Sequence, residues 1–298
     1  MTDYSAIMAA DIALIEAELE RLLSAEAFAG RESAGLDVMR QAMSYSLRNG
    51  GKRIRPVLAL EFCRLFGGRD EAVINSACAL EMIHTYSLIH DDLPCMDDDD
   101  LRRGKPSNHI VFGYANALLA GDALLTLAFE TVLGGCADNA AKVEAGLILA
   151  KAAGASGMIA GQVCDLANEQ KNASLDEIKT TDRLKTCELI RAAGALGCCA
   201  AGADEASRKA AHRYCADIGL AFQIVDDILD VTSTSSVLGK PVGSDEQNSK
   251  STYVSLLGIE RSRQLASELT ASAKAAVAGR QGSEFLVWLA DYLCGRVF

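Results

Sequence analysis

The sequence is poor in proline and in aromatic residues: four prolines occur in 298 residues, aromatics make up 5%, and tryptophan appears once. Strands favour aromatic and β-branched residues. Their shortage, beside abundant Ala and Leu, argues against a sheet-rich fold and for helices. Net positive charge is missing as well, since 29 Lys and Arg face 40 Asp and Glu for a formal charge of -11. That argues against nucleic-acid binding through a basic face. An anionic substrate therefore needs a local basic cluster or bound metal. No uncharged apolar run reaches the length of a membrane span, and the longest, Ala192 to Ala203, is too short. The start, MTDYSAIMAADIALIEAELERLL, is acidic and amphipathic, unlike a secretory signal. Ten cysteines occur without a CxxC pair or a zinc-like His/Cys spacing. They are expected as small buried residues in a reducing compartment, with the protein in the cytoplasm.

What is present is concentrated in Leu88 to Asn108, LIHDDLPCMDDDDLRRGKPSN. Six aspartates fall between Asp91 and Asp100, followed at once by Arg102, Arg103 and Lys105. Carboxylates this dense repel one another unless a cation sits among them. Mg²⁺ is a natural partner, because it binds through one or two carboxylates plus substrate phosphates. Arginines supply fork-shaped donors for phosphate oxygens. The bland alternative is a solvated acidic turn. Against it, the run follows the apolar segment Ile83 to Ile89, and a second cluster, FQIVDDILD, lies at Phe222 to Asp230. On an unbroken helix Asp91 and Asp97 would be about 240° apart. Pro94 breaks the helix and can swing Asp97 back toward Asp91 and Asp92.

Elsewhere the pattern is helical. Residues 3 to 28 carry apolar positions at helical period, and a second helix is expected to stop near Asn49-Gly50-Gly51. GGKRIRP (Gly50 to Pro56) then places three cations within four residues beside glycines that let backbone N–H groups approach a ligand. Taken alone, it reads equally as an exposed basic turn. A helix over Glu71 to His90 carries His84 about two turns before Asp91. Residues 107 to 134 and 139 to 166 read as two long helices holding GDALLTLAFE and GQVCDL. Asp122, Gln162 and Asp165 within them are either supports for the site or core hydrogen bonders, the core reading being preferred for Asp122. Ser174 and Glu177 form a capping box before Lys185 and Thr186. In a long helix over Asp204 to Val231, Asp226 and Asp230 are four apart and share a face. A loop over Thr232 to Tyr253 bears Lys240 and Lys250. No sheet-forming segment is evident, and residues 1 to 298 are expected to form one domain.

GGKRIRP, YSLIHDDLPCMDDDDLRRGKPSNH, GDALLTLAFE, GQVCDL, LKT, FQIVDDILD and GKPVGSD…KSTY follow one another over residues 50 to 253. In these motifs the chain resembles the short-chain trans-polyprenyl diphosphate synthases, most of all the bacterial type of farnesyl diphosphate synthase. The resemblance implies an all-α fold around a deep central cavity, in a single domain and usually a homodimer. It implies two aspartate-rich walls, with Asp91, Asp97 and Asp226 as ligands of Mg²⁺ (three ions, with Mn²⁺ able to substitute) and Asp92 alongside. Arg102, Lys185, Thr186, Gln223 and Lys240 would hold the allylic diphosphate. Lys52, Arg55, His84 and Arg103 would hold isopentenyl diphosphate. The family often ends in a basic tail, whereas this chain ends Gly295-Arg296-Val297-Phe298.

The resemblance also bears on product length. Tyr86 lies five residues before Asp91, a descent of about 7.5 Å along a helix, and Ser87 beside it is too small to close a cavity. In the resembling enzymes an aromatic here, with two extra residues in the motif (Pro94 and Cys95), marks a fifteen-carbon product. Ordinary core is the alternative role for Tyr86. A geranyl or geranylgeranyl diphosphate synthase is the alternative activity. A class I terpene cyclase would lack GGKRIRP and the second Asp cluster, and a non-catalytic subunit would lack an aspartate pair. An EF-hand does not accommodate Leu101 and Arg103.

Overall fold

The computed structural model describes residues 2–24, 26–28, 33–135, 138–168, 171–232 and 251–295. They form two compact units, Met1–Leu60 with Asp70–Gly146, and Glu61–Arg69 with Leu147–Phe298. Both are helical, as the residue content dictates.

In the first unit α1 (Tyr4–Leu22) starts where the Asp3 carboxylate accepts the backbone N–H groups of Ser5 and Ala6, both at 3.1 Å. Next come α2 (Ala34–Arg48), α3 (Ile54–Leu65), whose residues from Glu61 on belong to the second unit, and α4 (Asp70–Asp91). A two-residue hairpin follows, β1 (Leu101–Arg102) paired antiparallel with β2 (Lys105–Pro106), in register Leu101 to Pro106 and Arg102 to Lys105. This is the one departure from an all-helical expectation among the described residues. α5 (Asn108–Phe112) and α6 (Tyr114–Gly134) follow in the same unit. The sequence reading ran them together; the structure breaks them at Gly113, whose φ of 83° suits glycine. α4 is buried on more than one side, as a central helix should be, and packs on α1, α2 and α6.

α7 (Asn139–Ala153) leads into the second unit, which holds α8 (Met158–Asn168), α9 (Leu175–Asp182) and a π-helical segment, Arg183–Cys187. It continues with α10 (Glu188–Ala200), α11 (Glu205–Thr232), α12 (Tyr253–Leu257), α13 (Ile259–Val277) and α14 (Glu284–Cys294). The Ser174/Glu177 capping box at the start of α9 is present as expected. α11 packs on α10 and α13. Its buried Tyr214 donates a 2.7 Å hydrogen bond to the Leu286 carbonyl of α14 and meets the Phe62 ring edge-on at 5.4 Å. Seven of the nine described cysteines are buried, in accord with the expectation of small core residues; Cys136 lies outside the described residues.

Two stretches have the length and composition to cross a membrane: Tyr114–Gly134, mean hydropathy 1.5, and Asn139–Asn168, mean hydropathy 1.4. Neither is an uncharged run: α6 holds Asp122 and Glu130, and the second stretch holds Lys142, Glu144, Lys151 and Asp165. Core helices share this composition, and α6 packs on α2 and α4.

Candidate functional site

The first aspartate cluster is shaped by the end of α4. After Asp91 the chain turns about Pro94, with Leu93 N–H bonded to His90 O at 3.2 Å, Met96 N–H to Leu93 O at 2.8 Å and Asp97 N–H to Asp91 O at 2.9 Å. The last bond returns Asp97 to the backbone of Asp91, which the proline position predicted. Asp91 is half-buried and Asp97 exposed. Asp92 points inward, 3% exposed, and pairs with Arg102, whose Nε lies 2.8 Å from its Oδ1. Burial pushes the Asp92 carboxyl up, and Arg102 works against that shift. Arg102 also reaches Asp99 at 3.2 Å. Asp92 thus serves as the counter-ion of Arg102.

Four arginines of this unit gather around His84, which shares a face of α4 with Asp91. Burial, then the charges of Arg55, Arg103, Arg53 and Arg102, hold the imidazole well below its usual pKa, so it is neutral. Three of the four residues assigned from the resemblance to isopentenyl diphosphate, Arg55, His84 and Arg103, are therefore brought together; Lys52 is exposed in the neighbouring loop. The middle cation of GGKRIRP behaves differently. Arg53, at φ 49°, turns into the core, pairs with Glu81 at 2.8 Å and Glu16 at 3.4 Å, and donates to the Leu47 carbonyl. It is 4% exposed and anchors the loop to α4. The glycines serve Arg103: its guanidinium donates to Gly50 O and lies over Gly51, where a Cβ would meet Nη1 at 2.6 Å.

Sequence reasoning missed how the two arginines are presented. They sit on the β1–β2 hairpin, which α2 pins through Asn49 Nδ2 to Arg102 O (3.1 Å) and Tyr45 Oη to Pro106 O (2.7 Å). Single polar side chains on an otherwise ordinary helix carry no signal of such pairing. Tyr86 is 5% exposed, and its hydroxyl is buried without a hydrogen-bond partner. Burial and the Asp91 charge push that hydroxyl up to about 12. Half-buried Ser87 donates to His84 O at 2.9 Å. Asp122, read as a core residue, is instead 59% exposed, because it points off α6.

In the second unit Lys185 and Thr186 ride on the π-helical segment. Gly161 of GQVCDL lets α8 approach this segment: a Cβ there would lie 2.5 Å from Lys185 Cα and 2.7 Å from the Leu184 carbonyl carbon. Gly219 does the same from α11, where a Cβ would meet Cys187 Sγ at 2.9 Å. Lys185 Nζ pairs with Asp165 at 2.6 Å, so of the two polar residues of GQVCDL, Asp165 holds the lysine. Thr186 Oγ1 donates to Gln223 Oε1 at 3.4 Å, and Gln223 Nε2 donates to Asp227 at 3.3 Å. Asp226 is half-buried, Asp227 is 7% exposed and Asp230 is 1% exposed. Asp230 is therefore a core residue, whereas Asp226 keeps partial exposure. Half-buried Asp182, which the sequence did not single out, lies next to Asp227. Burial, then the Asp227 charge, push its carboxyl up to about 8. Lys240 and Lys250 lie outside the described residues.

Among the described residues no three His, Cys, Asp or Glu side chains converge as a ready-made metal cage. Mg²⁺ does not require one, since it keeps waters and takes much of its shell from substrate phosphate. Asp91 and Asp97 in the first unit and Asp226 in the second are at least partly exposed carboxylates, the hard oxygen donors it prefers, so the residue types fit the ion.

The polyprenyl synthetase family model matches residues 36–281. The putative geranylgeranyl pyrophosphate synthase 8, chloroplastic, of Arabidopsis thaliana is 46% identical over 266 residues, 87% of this chain and 74% of the relative. A chloroplastic geranylgeranyl pyrophosphate synthase of Capsicum annuum is 45% identical over 264 residues, 87% and 72%. Among solved structures, an apo FPP/GFPP synthase of Zymomonas mobilis aligns over 98% of each chain with TM-score 0.85 and 35% identity. A geranyltransferase of Legionella pneumophila aligns over 98% of this chain and 96% of its own with TM-score 0.86 and 32% identity. With a fold, motif order and residue content in agreement over most of its length, the chain belongs to the polyprenyl synthetase family and has the isoprenoid synthase fold.

Proposed function

We propose that the protein is a Mg²⁺-dependent farnesyl diphosphate synthase (a geranyltranstransferase) that condenses isopentenyl diphosphate with dimethylallyl and geranyl diphosphates. The observation that carries prenyl transfer is the neutral His84 among Arg55 and Arg103. It is an anion site separate in sequence from Lys185, Thr186 and Gln223, and a condensing enzyme has two diphosphates to bind. Lys52, Arg55, His84 and Arg103 hold isopentenyl diphosphate; Arg102, Lys185, Thr186, Gln223 and Lys240 hold the allylic diphosphate. Arg102 and Lys185 exchange Asp92 and Asp165 for phosphate oxygens, and charge-assisted bonds of this kind contribute about 1.5–3 kcal/mol each. Bound at Asp91, Asp97 and Asp226, Mg²⁺ would supply Lewis-acid stabilisation of the leaving diphosphate. The allylic C–O bond breaks with its electron pair going to that diphosphate. The isopentenyl double bond forms the new C–C bond, and a proton passes to the departing diphosphate. Apolar side chains keep water from the cation.

Tyr86 supports the fifteen-carbon product, as a buried ring below Asp91 on α4. The 46% identity to proteins named geranylgeranyl pyrophosphate synthases favours a twenty-carbon product as the second reading. Product analysis of wild type and Tyr86→Ala decides: farnesyl diphosphate from the first and twenty carbons or more from the second support the proposal. A wild-type twenty-carbon product refutes it. A homodimer is supported by the exposed apolar side chains Tyr114, Leu118 and Leu119 in the first two turns of α6, with Val111 exposed on α5. Sedimentation of Leu119→Glu as a monomer, against a wild-type dimer, tests it. The free cysteines support a reducing, cytoplasmic compartment.

A further inference from the structure

His90 lies in the last turn of α4, between α6 and Tyr86. Its Nε2 is 3.0 Å from the Leu118 carbonyl oxygen. A carbonyl only accepts, so Nε2 carries the proton. Asp122 Oδ1 stands 3.9 Å from the same nitrogen. The ring fits because residue 121 is glycine: a Cβ there would lie 2.5 Å from His90 Cδ2 and 3.0 Å from Cε1. Its other side meets the Tyr86 ring edge-on, with centroids 5.6 Å apart and planes at 77°. The Tyr86 hydroxyl has no hydrogen-bond partner, so packing and not a polar contact orients the phenol.

We infer that His90 is a positioning residue for product length: clamped by Leu118 and Gly121 of α6, it holds the Tyr86 ring in the position that limits chain growth. The inference rests on the reading of Tyr86 as the floor of the product site. With His90 shortened, the phenol rotates into the vacated space and a further five-carbon unit fits. Alanine at 121 acts at a distance from Tyr86 but has the same effect, because its methyl expels the imidazole.

The test is the product distribution from geranyl and isopentenyl diphosphates for wild type, Tyr86→Ala, His90→Ala, Gly121→Ala and the double variant Tyr86→Ala/His90→Ala. Circular dichroism checks that each is folded. His90→Ala and Gly121→Ala are expected to raise the ratio of twenty- to fifteen-carbon product at least fivefold. In the Tyr86→Ala background, His90→Ala is expected to lengthen the product no further, since residues acting through one contact are not additive. If Tyr86→Ala lengthens the product while His90→Ala and Gly121→Ala leave it unchanged, the clamp is overturned and the floor stands. Additive lengthening in the double variant also overturns the clamp. If Tyr86→Ala leaves the product unchanged, the floor falls and the clamp with it.

Discussion

Gly161→Ala is the sharpest mechanical test of how the second unit presents Lys185 and Thr186. The added Cβ would stand 2.5 Å from Lys185 Cα and 2.7 Å from the Leu184 carbonyl carbon, both backbone atoms that no rotamer can move away. Ordinary carbon–carbon contact is about 3.5–4.0 Å, so α8 and the π-helical segment must separate by roughly 1 Å. Overpacking of this kind costs about 1–3 kcal/mol of stability. A misplacement of about 1 Å can lower turnover by about 10²-fold. Because Lys185 and Thr186 are assigned to the allylic diphosphate, kcat/KM for geranyl diphosphate should fall by about 10²-fold, and KM for isopentenyl diphosphate should change little. Steady-state kinetics with each substrate varied in turn, beside a thermal melt, reads all three quantities. Wild-type kinetics and melting would refute the argument. An equal loss toward both substrates would refute the assignment of Lys185 and Thr186.

Three further outcomes follow from buried charge. Glu81→Ala removes the buried partner of Arg53, both side chains being at most 3% exposed, and leaves it only the more exposed Glu16 and the Leu47 carbonyl. Breaking such a pair should destabilise by about 3–5 kcal/mol in urea unfolding, and Arg53→Met/Glu81→Leu should recover most of it; a loss below about 1 kcal/mol contradicts the anchor role. His84 has a folded pKa held far below 6.5, so below pH 6.5 the unfolded chain binds a proton that the folded one refuses. Wild type should therefore lose melting temperature as pH falls from 6.5, with a slope that His84→Gln abolishes; parallel pH profiles would argue against a neutral His84. Asp182 has the opposite linkage. With its carboxyl raised from 3.8 to about 8, its stability contribution is present at low pH and lost as pH rises from 4 to 8. Asp182→Asn should flatten that fall and melt above wild type at pH 8, and an unchanged profile would show that Asp182 is ionised.

Much of this was legible in the sequence where a local rule acts within a few residues. Pro94 between Asp91-Asp92 and the run Asp97 to Asp100 predicted a turn, and the Asp97 N–H to Asp91 O bond is that turn. The Ser174/Glu177 cap was readable for the same reason. The π-helical segment was not, because its register depends on Gly161 and Gly219 pressing from other helices. Arg53 was read as one cation among three. Its partner was the clue: Glu81 stands alone in the apolar run ACALEMI of a core helix, where a carboxylate needs a counter-ion. Asp230 shares a face with Asp226 by spacing, yet helical period does not say how deep a face is buried, and there the structure departs from the pattern.

The most direct measurement is incorporation of labelled isopentenyl diphosphate into geranyl diphosphate, with product length resolved and Mg²⁺ present or chelated. The account predicts Mg²⁺-dependent farnesyl diphosphate, and a loss of orders of magnitude in folded Asp91→Asn and Asp226→Asn. Equal activity in excess chelator, or no condensation by the folded wild-type protein, would contradict it.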